Sequence, residues 1–123
     1  MNRDSAIFIS GQETIEGLSL FKLMSNSGFT NLITDSSKEE LDKTFQNKRP
    51  EYVFLLSEIS GGIKANIEKP ATLMRSNLVK TISIIELSLK YDVKKLLFLA
   101  SSCIYPRDVN KKLSPEMIMS GPL

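Results

Sequence analysis

Two short stretches of this chain carry residue types that could bind or transform a ligand. The first runs from Gly11 to Gly17, a glycine-punctuated turn between an apolar run and a helical pattern. A turn of this kind presents backbone N–H groups to a phosphate at the start of a helix. The second is Ser-Ser-Cys-Ile-Tyr-Pro at 101–106, which places hydroxyl groups and a thiol directly after another apolar run. These groups could hydrogen-bond a ligand or exchange a proton with it.

The two glycines of the first stretch also have a purely structural interpretation. A complete dinucleotide fingerprint carries a further glycine inside this turn, and here only Gly11 and Gly17 remain. Both residues serve a tight strand-to-helix turn and close helix packing even when no ligand is bound. A structural role and a phosphate-binding role therefore both stay open.

Apolar runs and helical periodicity alternate along the chain and predict the elements that hold these stretches. Buried strands are predicted at 6–10, 31–34, 51–56 and 94–100. Helices are predicted after the glycine turn, from 36 to 48 behind a capping box, and from Pro70 to about Tyr91, with a loop at 60–62. This alternation is typical of an α/β, Rossmann-like, doubly wound parallel sheet.

The longest predicted helix carries one continuous apolar face, which we interpret as core. Its members are Met74, Leu78, Ile82, Ile85 and Leu89.

The candidate segments all follow predicted strands: 11–17, 35–37, 57–62 and 101–103. In an open parallel sheet, ligands bind beyond the carboxyl ends of the strands, where the strand order reverses. The sequence therefore predicts that these segments meet along one rim.

Composition and charge exclude several classes of function. A chain of 123 residues is expected to form a single domain, and a net charge of +2 from scattered basic residues gives no footprint for nucleic acid. Cys103 is the only cysteine and histidine is absent, so neither an internal disulfide nor a metal site is expected. No apolar run is long enough for a signal segment or a membrane span, which predicts a cytoplasmic protein.

These motifs together resemble the extended short-chain dehydrogenase/reductases, the NAD-dependent epimerase/dehydratase family, and within it the GDP-L-fucose synthases. The resemblance rests on Arg-Pro-Glu-Tyr-Val-Phe-Leu at 49–55, Gly-Gly-Ile-Lys-Ala-Asn at 61–66, Lys-Lys-Leu-Leu-Phe-Leu at 94–99, the 101–106 stretch, and Ser-Gly-Pro-Leu at 120–123. It covers the whole chain but only the first part of the family's length. It implies an NAD(P)-dependent epimerase/reductase acting on a GDP-sugar, without the substrate-binding half.

The resemblance also implies roles for individual residues. Ser101 would hydrogen-bond the substrate keto oxygen, and Cys103 would be the acid/base of epimerisation. The positions that would contact the dinucleotide are Gly11, Thr14, Ile15, Gly17, Asp35, Leu99, Ala100 and Ser102. The family's catalytic Tyr-x-x-x-Lys pair is not matched at Tyr105, because position 109 is valine.

Three departures from the family pattern bear on cofactor binding. Thr14 stands where the family has its middle glycine, and Glu13 stands where it has an arginine for the 2′-phosphate of NADPH. Asp35 follows the second strand, where an acid binds the ribose 2′-hydroxyl in NAD enzymes; an ordinary turn acid is the alternative. A short strand that the family places between 37 and 50 has no room here. The expectation is NAD rather than NADP, or loss of binding altogether.

Two function hypotheses follow. The chain is either the nucleotide-binding part of a GDP-L-fucose synthase-like enzyme that is inactive alone, or a non-catalytic relic or interaction module. In the second case Ser101 and Ser102 would satisfy backbone groups at a strand end, and Cys103 would be a partly buried, unreactive thiol. The run from Leu96 to Ala100 is predicted to form an exposed edge, which predicts a homo-oligomer or a second chain that supplies further strands.

Overall fold

The computed structural model describes residues 1–34, 40–56, 62–110 and 112–122. Its strands are β1 (Ile7–Ile9), β2 (Leu32–Thr34), β3 (Tyr52–Leu55) and β4 (Lys95–Phe98). Its helices are α1 (Ile15–Asn26), α2 (Leu41–Lys48), α3 (Gly62–Glu68) and α4 (Pro70–Lys90). Two 3₁₀ turns follow, at Ser102–Ile104 and Pro115–Met117.

The four strands form one parallel sheet in the order β2-β1-β3-β4. Phe8 pairs in register with Ile33 on one side and with Val53 on the other, and Val53 pairs with Leu96. The chain leaves β1 for β2 in one direction and reaches β3 in the other, so the strand order reverses between β1 and β3. The predicted α/β doubly wound architecture is confirmed.

Helices cover the sheet on both faces because successive strand residues point to opposite sides. On one face, Phe8 packs against Phe45 of α2, with ring centroids 4.9 Å apart, and Ile84 of α4 belongs to the same cluster. On the other face, Ile7 and Ile9 pack with Met24 of α1. The core is therefore two layers of apolar side chains separated by the sheet.

The apolar face predicted as core on α4 points outward, so that prediction is wrong. Met74 is 70% exposed and Leu89 is 82% exposed, and Leu78, Ile82 and Ile85 are exposed as well. The sheet-facing side of α4 is a different side of the helix, on which Ile84 and Ser88 are buried. Both sides of α4 carry apolar residues, and periodicity within one helix cannot say which side meets the sheet.

Two further differences concern the connections. Helix α3 begins at Gly62, inside a stretch that reads as a loop from its glycines. The capping box predicted at Ser36 lies outside the described residues, and α2 begins after Glu40 without a side-chain cap. Between residues 40 and 56 the chain contains α2 and β3 and no further strand, which agrees with the missing family strand. Among the described residues, no helix has the length and apolarity needed to cross a bilayer.

Candidate functional site

The turn between β1 and α1 lies at the carboxyl end of β1, beside the reversal of strand order. Gly11 adopts a left-handed conformation, with φ of 72°, and its carbonyl oxygen accepts the Thr14 N–H at 2.9 Å. A β-carbon at Gly17 would lie 2.0 Å from the Gly11 carbonyl oxygen. Both glycines are therefore required by the turn itself, because α1 passes against the backbone that enters it.

Thr14 caps α1 with its own side chain. Its Oγ1 donates to the Gly11 carbonyl oxygen at 2.8 Å and accepts the Gly17 N–H at 3.1 Å. The Gly17 N–H group is one of the helix-start donors that a bound phosphate would otherwise use. Ile15 and Glu16, which lie between Thr14 and Gly17 in the sequence, are at the exposed start of the helix. The turn thus keeps its strand-to-helix geometry, but one of its donors, the Gly17 N–H, is already hydrogen-bonded.

The charges around this turn are negative. Glu13 and Glu16 are both exposed, and Glu16 lies in the first turn of α1. A carboxylate there interacts favourably with the positive end of the helix and unfavourably with a phosphate. Asp35, the third acid singled out in the sequence, lies outside the described residues.

The second candidate stretch follows β4 on the same rim. The Leu99 N–H donates to the Leu55 carbonyl oxygen at 2.9 Å, which extends the pairing with β3 by one residue. Ala100 is exposed. The Ser101 hydroxyl accepts the Cys103 N–H at 3.2 Å and so caps the 3₁₀ turn. The Ser102 carbonyl oxygen accepts the Tyr105 N–H at 3.1 Å. The Ser101 hydroxyl therefore satisfies a backbone group, as the structural interpretation predicts, whereas the contact of Ser102 is made by its main chain.

Cys103 is exposed, so the prediction of a partly buried thiol is wrong. It lies on the 3₁₀ turn that follows β4, an edge strand of the described sheet. No strand of the described residues packs beyond β4 to cover it.

Parallel strands bring the two stretches to the same rim, as predicted. Because β3 separates β1 from β4, the two strands are about 10 Å apart in the sheet. Residues 57–61, which follow β3 in the sequence, lie outside the described residues. The structure thus brings Gly11–Gly17 and Ser101–Cys103 together as neighbours across one strand.

A Tyr-x-x-x-Lys spacing also occurs at Tyr91 and Lys95, and the structure places it away from this rim. Lys95 is the first residue of β4, at the amino-terminal edge of the sheet. The Tyr91 hydroxyl donates to Asp42 at 3.0 Å, and its ring lies near that of Phe45. Tyr91 is therefore a structural residue. The hydrogen bond from Lys90, and after it that from Tyr91, lowers the pKa of the Asp42 carboxyl.

The tail after the 3₁₀ turn folds back on it and forms a recess that no sequence pattern predicts. The Met119 N–H donates to the Ile104 carbonyl oxygen at 3.1 Å, and the Arg107 N–H donates to the Pro122 carbonyl oxygen at 2.9 Å. The recess has a volume of about 410 Å³. It is lined by Pro106, Asp108, Val109, Asn110, Met117, Ser120 and Gly121.

Comparison with known proteins gives a consistent set of matches. The sequence model of the NAD dependent epimerase/dehydratase family matches residues 19–123. GDP-L-fucose synthase 1 of Arabidopsis thaliana is 30% identical over 129 residues, which are 99% of this chain and 40% of that protein. GDP-L-fucose synthase of Sinorhizobium fredii is 31% identical, over 95% of this chain and 39% of that protein.

Among solved structures, a GDP-mannoheptose C4 reductase from Campylobacter jejuni with NADP bound superimposes with a TM-score of 0.85 and 30% identity. The match covers 100% of this chain and 38% of that one. The chain thus spans about 40% of the length of the curated relatives it matches. The family match begins at residue 19 and leaves out the turn from Gly11 to Gly17.

Proposed function

This chain belongs to the NAD dependent epimerase/dehydratase family, and from that premise we propose that it is the dinucleotide-binding part of a GDP-sugar epimerase/reductase. The observation that carries the proposal is the turn from Gly11 to Gly17. It joins β1 to α1 at the carboxyl rim, beside the reversal of strand order. That is the position at which open parallel sheets bind nucleotides.

The backbone of the turn is compatible with a bound dinucleotide, whereas two of its side chains disfavour one. The left-handed Gly11 and the absence of a β-carbon at Gly17 keep the strand-to-helix geometry. The Thr14 hydroxyl holds the Gly17 N–H, and Glu13 adds negative charge. We therefore propose weak binding with NAD preferred over NADP, because the 2′-phosphate of NADP would add repulsion at Glu13.

Ser101 and Cys103 are proposed as the substrate-side residues. Both lie on the same rim as the turn, and Cys103 is exposed to a ligand that approaches there. A nicotinamide cofactor would supply the hydride for reduction, and these side chains would orient the sugar and exchange its protons. Residues 101–122 supply no tyrosine with a lysine four positions on, since Tyr105 is followed by Val109. Turnover is therefore proposed to need residues from a longer polypeptide or a second chain.

The exposed edge of β4 supports the idea of a completing partner. Leu97, Phe98 and Leu99 are exposed at the edge of the described sheet, with no strand of the described residues beyond them. An apolar edge of this kind is a template for a further strand. We propose that the strand comes from the polypeptide that supplies the remaining catalytic residues.

Calorimetric titration of the 123-residue chain with NAD, NADP and NADPH tests the proposal. We expect NAD to bind at least as tightly as NADP, and no hydride transfer to a GDP-4-keto sugar by the chain alone. NADP binding tighter than NAD would contradict the role of Glu13. Turnover by the chain alone would contradict the proposal that its set of catalytic residues is incomplete.

A second candidate function is a protein-interaction module that has lost dinucleotide binding. The observation that favours it is the Thr14 hydroxyl, which accepts the Gly17 N–H and so occupies a donor that a phosphate would need. If none of the three dinucleotides binds while the chain remains folded, this candidate replaces the first.

A further inference from the structure

The recess between residues 106 and 121, which we call the tail recess, takes no part in the function proposed above. Its volume of about 410 Å³ lies within the range of about 300–1,000 Å³ that small-molecule sites occupy. Neither Ser101 nor Cys103 is among the described residues that line it. A ligand bound there would therefore be additional to the substrate position proposed at those two side chains.

The tail recess has an apolar floor and a polar mouth. The half-buried lining residues form the floor and are Pro106, Val109 and Met117. The exposed lining residues form the mouth and are Asp108, Asn110, Ser120 and Gly121. A ligand that fits the recess therefore needs one apolar face and polar groups along its edge.

The polar side chains of the mouth mostly accept hydrogen bonds. The Ser120 hydroxyl donates its proton to the Met117 carbonyl oxygen at 2.9 Å, so its lone pairs are left for a ligand. A carboxylate such as Asp108 only accepts, whereas the Asn110 amide both accepts and donates. Within the part of the chain that the structure describes, neither of these two side chains has a hydrogen-bond partner. The mouth thus suits a ligand with several donors and at least one acceptor.

The tail holds the recess in shape through its own backbone. The Arg107 N–H donates to the Pro122 carbonyl oxygen, and the Met119 N–H donates to that of Ile104. A β-carbon added at Gly121 would lie 3.4 Å from the side chain of Pro106, so the two sides of the tail are in contact there. A site formed in advance loses less conformational entropy when a ligand binds.

We propose that the tail recess binds an uncharged sugar ring. The C–H face of the ring would lie on the apolar floor, and its hydroxyl groups, which both donate and accept, would meet Asp108, Asn110 and Ser120. A phosphate would be repelled by Asp108. A simple aliphatic amine would pair with Asp108 but would leave the other two side chains without a partner. The proposal does not rest on dinucleotide binding.

The first test follows the amide signals of the ¹⁵N-labelled 123-residue chain by NMR during separate titrations with D-glucose, D-galactose and D-mannose. With at least one sugar we expect saturable shifts of the Asn110, Ser120 and Gly121 signals at millimolar concentrations. Asn110→Ala should weaken this binding about fivefold or more, because the hydrogen bonds of the amide are lost. Asn47→Ala is the matched control, since Asn47 is an exposed asparagine on α2.

Two outcomes of this titration would overturn the proposal. One is that none of the three sugars gives saturable shifts at the tail recess. The other is that Asn110→Ala and Asn47→Ala have the same affinity as the wild type.

The second test asks whether the site selects a neutral ligand. The 6-phosphate of the sugar that binds should bind at least about tenfold more weakly than the sugar itself, and Asp108→Asn should reduce this difference. Butylamine, which has a charged donor but no hydroxyl group, should leave the Asn110 and Ser120 signals in place. Circular dichroism checks that the variants are folded. Tighter binding of butylamine or of the sugar phosphate than of the sugar would overturn the proposal.

Discussion

The Thr14 hydroxyl accepts the Gly17 N–H at 3.1 Å, so the first turn of α1 is closed by a side chain from its own turn. The same hydroxyl donates to the Gly11 carbonyl oxygen. A Ser, Thr, Asp or Asn at this position stabilises a helix start in any protein. Under the proposed function, the cap would also compete with a dinucleotide phosphate for the same donor.

Replacing Thr14 should therefore change dinucleotide affinity. Thr14→Gly removes both the hydroxyl and the β-carbon, and we expect NAD to bind about tenfold tighter, because one more N–H group is available to the phosphate. Calorimetric titration measures the change. Thr14→Ala, which loses the hydroxyl but keeps the β-carbon, should gain less, and Thr14→Ser should match the wild type. Equal affinities for the glycine and serine variants would show that the cap does not limit binding.

The preference for NAD over NADP should depend on Glu13. Glu13→Arg replaces a repulsive charge by an attractive one, so the ratio of NADP to NAD affinity should rise at least about tenfold. Parallel titrations with both dinucleotides give this ratio. Glu16→Arg changes the charge of an acid in the first turn of α1 and serves as the comparison. If both variants shift the ratio equally, the effect is one of net charge and not of position.

Adjacent isoleucines on α4 should respond very differently to truncation. Ile84 is fully buried in the cluster that contains Phe8 and Phe45, so Ile84→Ala should lower the free energy of unfolding by about 2–5 kcal/mol. Ile85 is exposed, and Ile85→Ala should change the free energy of unfolding by no more than about 0.5 kcal/mol. Urea denaturation measures both values. A larger loss at Ile85 than at Ile84 would mean that the outward apolar face of α4 faces the sheet instead.

Acid should destabilise the fold partly through Glu51. A hydrogen bond from Lys94 lowers the pKa of the Glu51 carboxyl, and one from the Ala6 N–H adds to this. The unfolded chain therefore takes up this proton at higher pH than the folded one. The contribution to stability is complete above the ordinary carboxyl pKa, about 4, and is lost as the pH falls through the lowered pKa.

Urea denaturation at pH 7 and pH 3 should show a smaller difference in stability for Glu51→Gln than for the wild type. Asp4→Asn removes an exposed carboxylate near the amino terminus and should leave the difference unchanged. If the difference in stability between pH 7 and pH 3 is the same in Glu51→Gln as in the wild type, the Lys94–Glu51 ion pair does not contribute to the loss of stability in acid.

Association through the edge of β4 should be open-ended. Leu97→Lys places a charge on the exposed edge, so light scattering during storage should show slower aggregation. Leu113→Lys is the control, because Leu97 and Leu113 are 46% and 47% exposed and only Leu97 lies in β4. Equal protection by both changes would indicate a general effect of charge.

The sequence by itself determined the order of elements and the rim on which the candidate residues lie. Apolar runs such as the one around Phe8, each followed by a helical pattern, allow few arrangements besides a parallel sheet with helices on both faces. Once the strands are parallel, Gly11–Gly17 and Ser101–Cys103 must share an edge. The two glycines could be recognised because a β-carbon is forbidden by the local turn, which is a short-range constraint.

Only the tertiary structure decided which side of each element faces the core and how the polar side chains are used. The apolar face of α4 from Met74 to Leu89 is a regular row, yet contacts of Ile84 with the sheet turn it to solvent. The exposure of Cys103 and the position of Tyr91 and Lys95 likewise depend on neighbours distant in the chain. Periodicity shows that one face of an element is apolar. Which surface covers that face depends on long-range packing, because a face becomes buried only when a second element packs against it.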